Sequence, residues 1–465
     1  MPYQDTLTYL GSFINYERKP RFRYKDSFKL ARIESFLSRI GDPHAKTRFI
    51  HVAGTKGKGS VCAFCASILR HMGYRVGLYT SPHLSDVRER LRVLEPAGRA
   101  VRRAGNADFE GMISRQELSR LADRLRPEIT AYGRQNPYGP LSFFEVYTAF
   151  AFQYFKDRAV DFAVLETGLG GRLDATNAVK PHIVGITSIS FDHMDKLGET
   201  LCEIAHEKAG IIKAGTATGL VVSAPQEHVV EQVLRSKCEA NGCRLVQVGI
   251  DIRYQLETVR NETQIFNISG MSGSWEHIRL PLLGEHQLIN AAVAVGLVAG
   301  AAQDSAPGRM HAAVQRGLHR ARWPGRFEIV RRRPCVILDG AHNEASAAAL
   351  AKTIRDFIPG KKIILVLGIS KDKDATNICR HLAPLAQRCI VTRADNPRAR
   401  STSDIAERVR QQGSSVEIIE IRSVPSAVVK AFACAGADDT IVIAGSLFIV
   451  GEARKLLFSG RFCSK

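Results

Sequence analysis

The chain has little of what marks membrane or secreted proteins. No apolar run is long enough to cross a bilayer. Residues 1–13 lack the basic start and apolar core of a secretory signal. The ten cysteines are scattered, and only Cys62 and Cys65 stand in CxxC spacing. No second such pair and no nearby histidine pair completes a zinc site, so both thiols are expected to pack a helix. Reduced thiols without a signal point to the cytoplasm. Acidic residues are the scarce charge, 46 against 65 Lys and Arg, for a net +19 over 465 residues. No helix-turn-helix, RRM or KH signature accompanies that surplus. The densest basic clusters, Arg99, Arg102 and Arg103 and then Arg331, Arg332 and Arg333, carry no interleaved aromatics. The charge therefore reads as solvated surface or as a groove for an anionic small molecule. Neither a nucleic acid nor a membrane is an expected partner, and a monomer is expected. Internal repeats and low-complexity segments are also missing.

What is present is a globular composition, 45% hydrophobic and 24% charged, in a chain long enough for two domains. Apolar spacing predicts a helix over 27–40. Buried strands are predicted at 48–53, 75–79, 162–166 and 182–188, with helices over 61–72 and 142–155. Strand, Gly-rich turn, helix and strand in that order begin an α/β sheet with right-handed crossovers. The stretch 94–115, rich in Gly, Ala and Arg, reads as a loop, and 257–283 as a small β element. Pro324 and Gly325 interrupt any helix and mark a linker at 322–326. Beyond it, strands are predicted at 335–338, 362–367, 389–392, 416–421 and 440–444. The expected architecture is an α/β N-terminal P-loop ATPase-like domain with a mostly parallel sheet, residues 1–321. A smaller C-terminal Rossmann-like α/β domain, 322–465, follows.

Four constellations carry chemistry. The first is Gly54-Thr55-Lys56-Gly57-Lys58-Gly59-Ser60, after a strand and before a helix. Such a loop converges backbone N–H groups on phosphate, adds a lysine against its charge and offers a hydroxyl to Mg²⁺. Here Gly59 separates Lys58 from Ser60, a departure from the usual Gly-Lys-Ser/Thr spacing. The second runs from Glu166 to Asn177. Glu166 closes a strand beside the loop, placed to meet Mg²⁺ directly or through water. The third is Ser190-Phe191-Asp192-His193-Met194, where His193 is a metal candidate although histidine is an unusual Mg²⁺ ligand. Nearby, Lys208 reads on composition as a surface helix lysine. The fourth is Leu338-Asp339-Gly340-Ala341-His342-Asn343, in which Asp339 is placed to meet a ribose or to orient a phosphate-binding group. Asp-Gly is equally a common turn.

Together and in this order, these motifs resemble the folylpolyglutamate synthase/dihydrofolate synthase family, a branch of the Mur ligase superfamily. The resemblance extends to Tyr9–Glu17, Thr80-Ser81-Pro82-His83, His286-Gln287 with Asn290-Ala291, and Trp323-Pro324-Gly325-Arg326. The Gly-Lys-Gly-Ser ending favours the folate branch, since wall-building Mur ligases usually carry Gly-Lys-Thr. Lys56 stands where the family usually has Asn.

The resemblance implies roles. Gly57, Lys58, Gly59 and Ser60 would cradle ATP, with Asn290, Arg326 and Asp339 meeting adenine, phosphate and ribose. Ser60, Ser81, Glu166 and His193 would bind Mg²⁺, and a carbamylated Lys208 would hold a second ion. Phe143, Phe144 and Leu173 would contact the pterin-bearing substrate, and His342 would orient the reacting phosphate. The catalytic set is then Lys58, Lys208 and His342. The implied reaction converts a folate-type carboxylate to an acyl phosphate with ATP and joins it to L-glutamate. Dihydropteroate, tetrahydrofolate or both would be acceptors, with ADP and phosphate released. The alternatives are a Mur-type ligase on another acidic acceptor, a nucleic-acid-binding NTPase and a non-catalytic binding module. Ser60, Glu166, His193 and Lys208 together argue against the last.

Overall fold

The computed structural model describes residues 1–19, 22–98, 109–270, 273–412 and 416–459. The Arg99, Arg102 and Arg103 cluster lies outside them, as do residues 99–108 of the predicted loop at 94–115. The chain divides into two compact units. One comprises Met1–His83, Arg88–Pro281 and His286–Arg322; the other comprises Leu84–Val87, Leu282–Glu285 and Trp323–Lys465.

The first unit is built on seven strands, β1 (Arg48–Ala53), β2 (Val76–Tyr79), β3 (Leu91–Leu94), β4 (Phe162–Glu166), β5 (Ile183–Ile186), β6 (Leu220–Ser223) and β7 (Arg244–Gln247). They run in the order β3-β2-β4-β1-β5-β6-β7. All neighbours are parallel except β2 and β3. The central strands β1, β4 and β5 are buried almost throughout, which is why they read as unbroken apolar runs. Because β1 lies between β4 and β5, the turns leaving all three open side by side at one sheet edge. In such sheets the carboxyl ends of the strands are where ligands sit. A three-stranded antiparallel meander follows, β8 (Ile252–Arg260), β9 (Thr263–Gly270) and β10 (Gly273–Leu280). It starts five residues earlier than the sequence predicts, since exposed polar residues in β8 hide the alternation.

Three helices matter for the site. Lys58–His71 starts inside the Gly-rich loop, three residues before the predicted start, because Gly57 at φ +90° turns the chain directly into it. Cys62 and Cys65 are fully buried on this helix, as expected for packing thiols. Phe143–Asp157 opens with a capping box in which Ser142 and Glu145 satisfy each other's backbone N–H groups. Thr200 and Glu203 do the same for Leu201–Ala209. The sequence reading misses a long helix, Arg115–Gln135, whose mean polarity masks its buried face.

The second unit holds β11 (Glu328–Arg332), β12 (Cys335–Leu338), β13 (Ile363–Leu367), β14 (Arg388–Arg393), β15 (Glu417–Ser423) and β16 (Thr440–Ala444). Their order is β11-β12-β16-β13-β14-β15, and only β11 is antiparallel to its neighbour. Buried aliphatic clusters line both faces of the sheet. This is the smaller Rossmann-like sheet that the sequence predicts. Among the described residues, no helix is long and apolar enough to cross a membrane.

Candidate active site

The Gly-rich loop leaves β1 through Gly54 at φ +145°. A Cβ there would sit 1.9 Å from Thr187 Oγ1, so only glycine fits. A Cβ on Gly57 would meet Asn290 Oδ1 at 2.2 Å. Asn290, brought from a helix more than 200 residues away, is thus pressed against the loop, and its Nδ2 donates to Gln287 Oε1 at 3.1 Å. The loop is also fastened to the chain leaving β5. Thr55 and Lys56 N–H groups both donate to the Ser188 carbonyl. Thr55 Oγ1 donates to the Ser190 carbonyl and accepts from its N–H, each at 3.1 Å.

Two lysines converge beneath the loop. Lys58 Nζ and Lys208 Nζ donate to one acceptor, the Gly54 carbonyl, at 3.1 and 2.9 Å. Lys208 is 4% exposed, which corrects the surface reading: its helix turns this side chain into the unit, below the loop. Burial pushes its pKa well down, Lys58 and Lys56 push the same way, and Asp192 and Asp174 oppose them.

Glu166 ends β4 opposite Val52 of β1 and is buried. Its Oε2 accepts from the Ser81 N–H at 3.1 Å, so these two predicted metal ligands are neighbours. Ser60 is buried in the first turn of the helix that follows the loop. His193 adopts a left-handed conformation, φ 54°. Its N–H donates to Asp192 Oδ1 at 3.0 Å, and Asp192 Oδ2 receives Lys56 Nζ at 2.9 Å. Among the described residues, no three His, Cys, Asp or Glu side chains cluster as a metal cage. The candidate donors are instead one carboxylate, two hydroxyls, an imidazole and a lysine. Mg²⁺ that arrives on nucleotide phosphates keeps several waters and needs only a few protein donors, so this set fits such an ion. Two hydroxyls at the same edge, Thr167 Oγ1 and Ser190 Oγ, are buried without a hydrogen-bond partner. A bound polar ligand would satisfy them. Sequence reasoning misses both, because nothing in an isolated Thr or Ser signals an unfilled bond.

The acceptor-side candidates are unequal. Phe144 packs its ring against Gly168, where a Cβ would come within 2.7 Å. Phe143 is buried, stacked on Tyr147 at 5.6 Å, with the Arg90 guanidinium 5.4 Å from its ring centre. Leu173 is partly buried against the core beside β5. The turn that carries Gly168 and Leu173 is organised by Asp174, which the sequence reading passes over. Its carboxylate accepts from the Gly168, Leu169 and Thr176 N–H groups and from Thr176 Oγ1.

The other three candidates lie together in the second unit. Asp339 closes β12 and accepts from the N–H groups of Phe327 and Ala341, each at 2.8 Å. Burial pushes its pKa up, and the Arg326 guanidinium opposes this. Arg326 also packs against Gly340, where a Cβ would lie 2.4 Å from Nη1. His342 Nδ1 is 2.7 Å from the Gly340 carbonyl.

Known proteins are similar to this chain in sequence and fold. Residues 144–298 match the Mur ligase middle domain, and 325–447 match the Mur ligase glutamate ligase domain. The dihydrofolate synthase/folylpolyglutamate synthase of Bacillus subtilis is 34% identical over 98% of this chain and 99% of its own. A Mycobacterium tuberculosis folylpolyglutamate synthase structure complexed with ADP superposes with a TM-score of 0.86 at 29% identity, covering 98% of each chain. E. coli FolC in complex with DHPP and ADP gives 0.81 at 27% identity, again over 98% of each. The chain belongs to the folylpolyglutamate synthase/dihydrofolate synthase family and is an ATP-dependent ligase.

Proposed function

We propose that this chain uses ATP to join L-glutamate to a folate-type carboxylate, accepting both dihydropteroate and tetrahydrofolate. The observation that carries the reading is the convergence of Lys58 and Lys208 on the Gly54 carbonyl, with Glu166 and Ser81 joined at the adjacent strand end. A carboxylate is a poor electrophile. Transfer of the γ-phosphoryl group to its oxygen gives an acyl phosphate and ADP. The glutamate amine then attacks the carbonyl carbon, loses a proton and expels phosphate, leaving an amide. Such chemistry asks for positioning and for charge neutralisation, and for no protein nucleophile.

The chain's own groups divide that work. The loop from Gly57 to Ser60 holds phosphate oxygens at a helix N-terminus, and Lys58 faces their charge. Ser60, Ser81, Glu166 and His193 would hold Mg²⁺, which supplies neutralisation of developing charge when bound. Burial and the neighbouring Lys58 shift Lys208 toward the neutral amine, the form that adds CO₂, and the resulting carbamate would serve a second Mg²⁺. Asn290, Arg326 and Asp339 are assigned to the nucleotide and His342 to the reacting phosphate. Phe143, Phe144 and Leu173 are assigned to the acceptor. We also place the protein in the cytoplasm as a monomer, with no nucleic-acid or membrane partner. The nine cysteines among the described residues are all free, in keeping with a reducing compartment.

Glutamate-dependent ADP release, measured side by side with dihydropteroate and tetrahydrofolate, tests the reading. Both are expected to support turnover. Release with one alone narrows the activity to that acceptor. Release with neither overturns the folate assignment and favours a Mur-type ligase for another acid.

A further inference from the structure

We propose that Lys56 is a positioning residue that, through Asp192, holds His193 in its left-handed turn and locks the phosphate loop to that histidine. The inference rests on the reading of His193 as a metal-facing group. Lys56 Nζ donates to Asp192 Oδ2 at 2.9 Å, while Asp192 Oδ1 accepts the His193 N–H at 3.0 Å. One carboxylate is therefore held at both oxygens, by the loop on one side and by the histidine's own backbone on the other. The Asp192 side chain is 8% exposed and that of Lys56 is 24%, so the pair is shielded from solvent. His193 at φ 54° has a conformation that is uncommon for a residue with a Cβ and gains from a local hydrogen bond. The Asp192 carboxylate accepts the N–H of that backbone, whose carbonyl accepts from the Lys196 and Leu197 N–H groups. The Thr55–Ser190 and Lys56–Ser188 backbone bonds bring the two segments together but reach no further than Ser190. The Lys56–Asp192 pair extends the fastening to residues 192 and 193.

The pair has a second consequence. An aspartate beside a cation site is a competing ligand. Engaged by Lys56 and by the His193 N–H, its oxygens are committed, and the imidazole stays the group presented. Outer partners of this kind orient metal-facing groups and set their affinity.

A bystander charge and a positioning residue predict opposite signs. If Lys56 contributes only its charge, Lys56→Met removes a repulsion and tightens cation binding. If it positions His193, Lys56→Met weakens cation binding about tenfold, and Lys56→Arg restores most of the loss. Two measurements read this without turnover, so they stand even if the folate assignment fails. The first is Mn²⁺ binding to the ADP-bound protein by electron paramagnetic resonance. The second is amide hydrogen exchange over residues 188–197 in the ligand-free protein, expected to quicken at least fivefold in Lys56→Met and to recover in Lys56→Arg. Should Lys56→Met fail to fold, Asp192→Asn breaks the pair from the other side and is read by hydrogen exchange over residues 188–197, since losing a carboxylate charge weakens cation binding on either account. In the double variant the loss should equal the larger single loss, because both act through one pair. Unchanged or tighter Mn²⁺ binding in Lys56→Met overturns the proposal, as do unchanged exchange or additive losses.

Discussion

The side-chain nitrogens of Lys58 and Lys208 share one acceptor, the Gly54 carbonyl, at 3.1 and 2.9 Å. Two lysines on one neutral oxygen, one of them buried where its charged form is disfavoured, are costly for folding and useful only when an anion lies above them. Replacing Lys208 by Met should therefore separate stability from activity. Glutamate-dependent ADP release is expected to fall at least about 100-fold, the scale for losing a group aimed at the reacting charge. The ligand-free protein should become more stable by about 1–4 kcal/mol at pH 7, as when buried charges give way to apolar residues. The gain has a pH signature. With its folded pKa below the unfolded one, Lys208 makes the unfolded state bind the extra proton, so wild-type stability rises as the pH climbs toward the ordinary lysine value near 10.4. The variant's advantage in urea denaturation should shrink from pH 7 to pH 10. A variant that is inactive and less stable at pH 7 would contradict this account.

His51 offers a second pH prediction, on the acid side. It is fully buried on β1, three residues before Gly54. Thr176 Oγ1 donates to Asp174 Oδ1 at 2.6 Å, which leaves it to accept from His51 Nε2–H at 2.9 Å. Burial, helped by Lys213, pushes the imidazole pKa down to about 3. The native state therefore requires the neutral ring, while the unfolded chain takes up a proton below the ordinary value near 6.5. Stability is complete above about pH 6.5 and is lost as pH falls toward 3, at up to about 1.4 kcal/mol per pH unit from this group. His51→Gln keeps an N–H donor for Thr176 and has no proton to gain. Its urea midpoint should fall less steeply between pH 6.5 and pH 4 than that of the wild type. Parallel slopes would show that acid sensitivity lies elsewhere.

How much of this is legible in the sequence depends on distance along the chain. Strands β1, β4, β12 and β16 are read to the residue, because strands covered on both faces are short unbroken apolar runs. Glu166 and Ser60 are legible as local motifs. Lys208 is not: a lysine beside Glu207 looks solvated, and only tertiary packing shows that the loop lies above it. Lys56 and Asp192 are separated by 136 positions, and His51 and Thr176 by 125. No periodicity announces such pairs, and they are the contacts that make separate motifs into one site.

Gly57 tests the loop itself. At φ +90°, with Asn290 Oδ1 2.2 Å from where a Cβ would stand, alanine is refused by both backbone and neighbour. The side-chain amide must swing away, breaking its 3.1 Å bond to Gln287. Gly57→Ala should cost about 1–3 kcal/mol, the scale of a residue held in a sparsely populated backbone region. ADP affinity by calorimetry should drop at least about tenfold, because the helix N-terminus that meets phosphate is displaced. Asn290→Ala in the same background removes the collision and should recover part of the stability. No recovery would mean that backbone strain alone is responsible.

Asp339 carries the corresponding argument in the second unit. Its two oxygens accept the N–H groups of Phe327 and Ala341, and Phe327 itself sits at φ 43°. The carboxylate thus shapes the turn that carries Arg326 before it touches any ligand. Asp339→Ala leaves two shielded donors without acceptors, at about 1–3 kcal/mol for each that water does not reach. Asp339→Asn supplies one acceptor oxygen and should lose roughly half as much. If Asp339 also meets the nucleotide, ADP affinity should fall in both variants, and by more than the ordering of the turn explains in Asp339→Asn. Thermal unfolding of the second unit, set beside ADP titrations of both variants, separates the two roles. Full ADP affinity in a destabilised Asp339→Asn protein would confine this carboxylate to holding the turn.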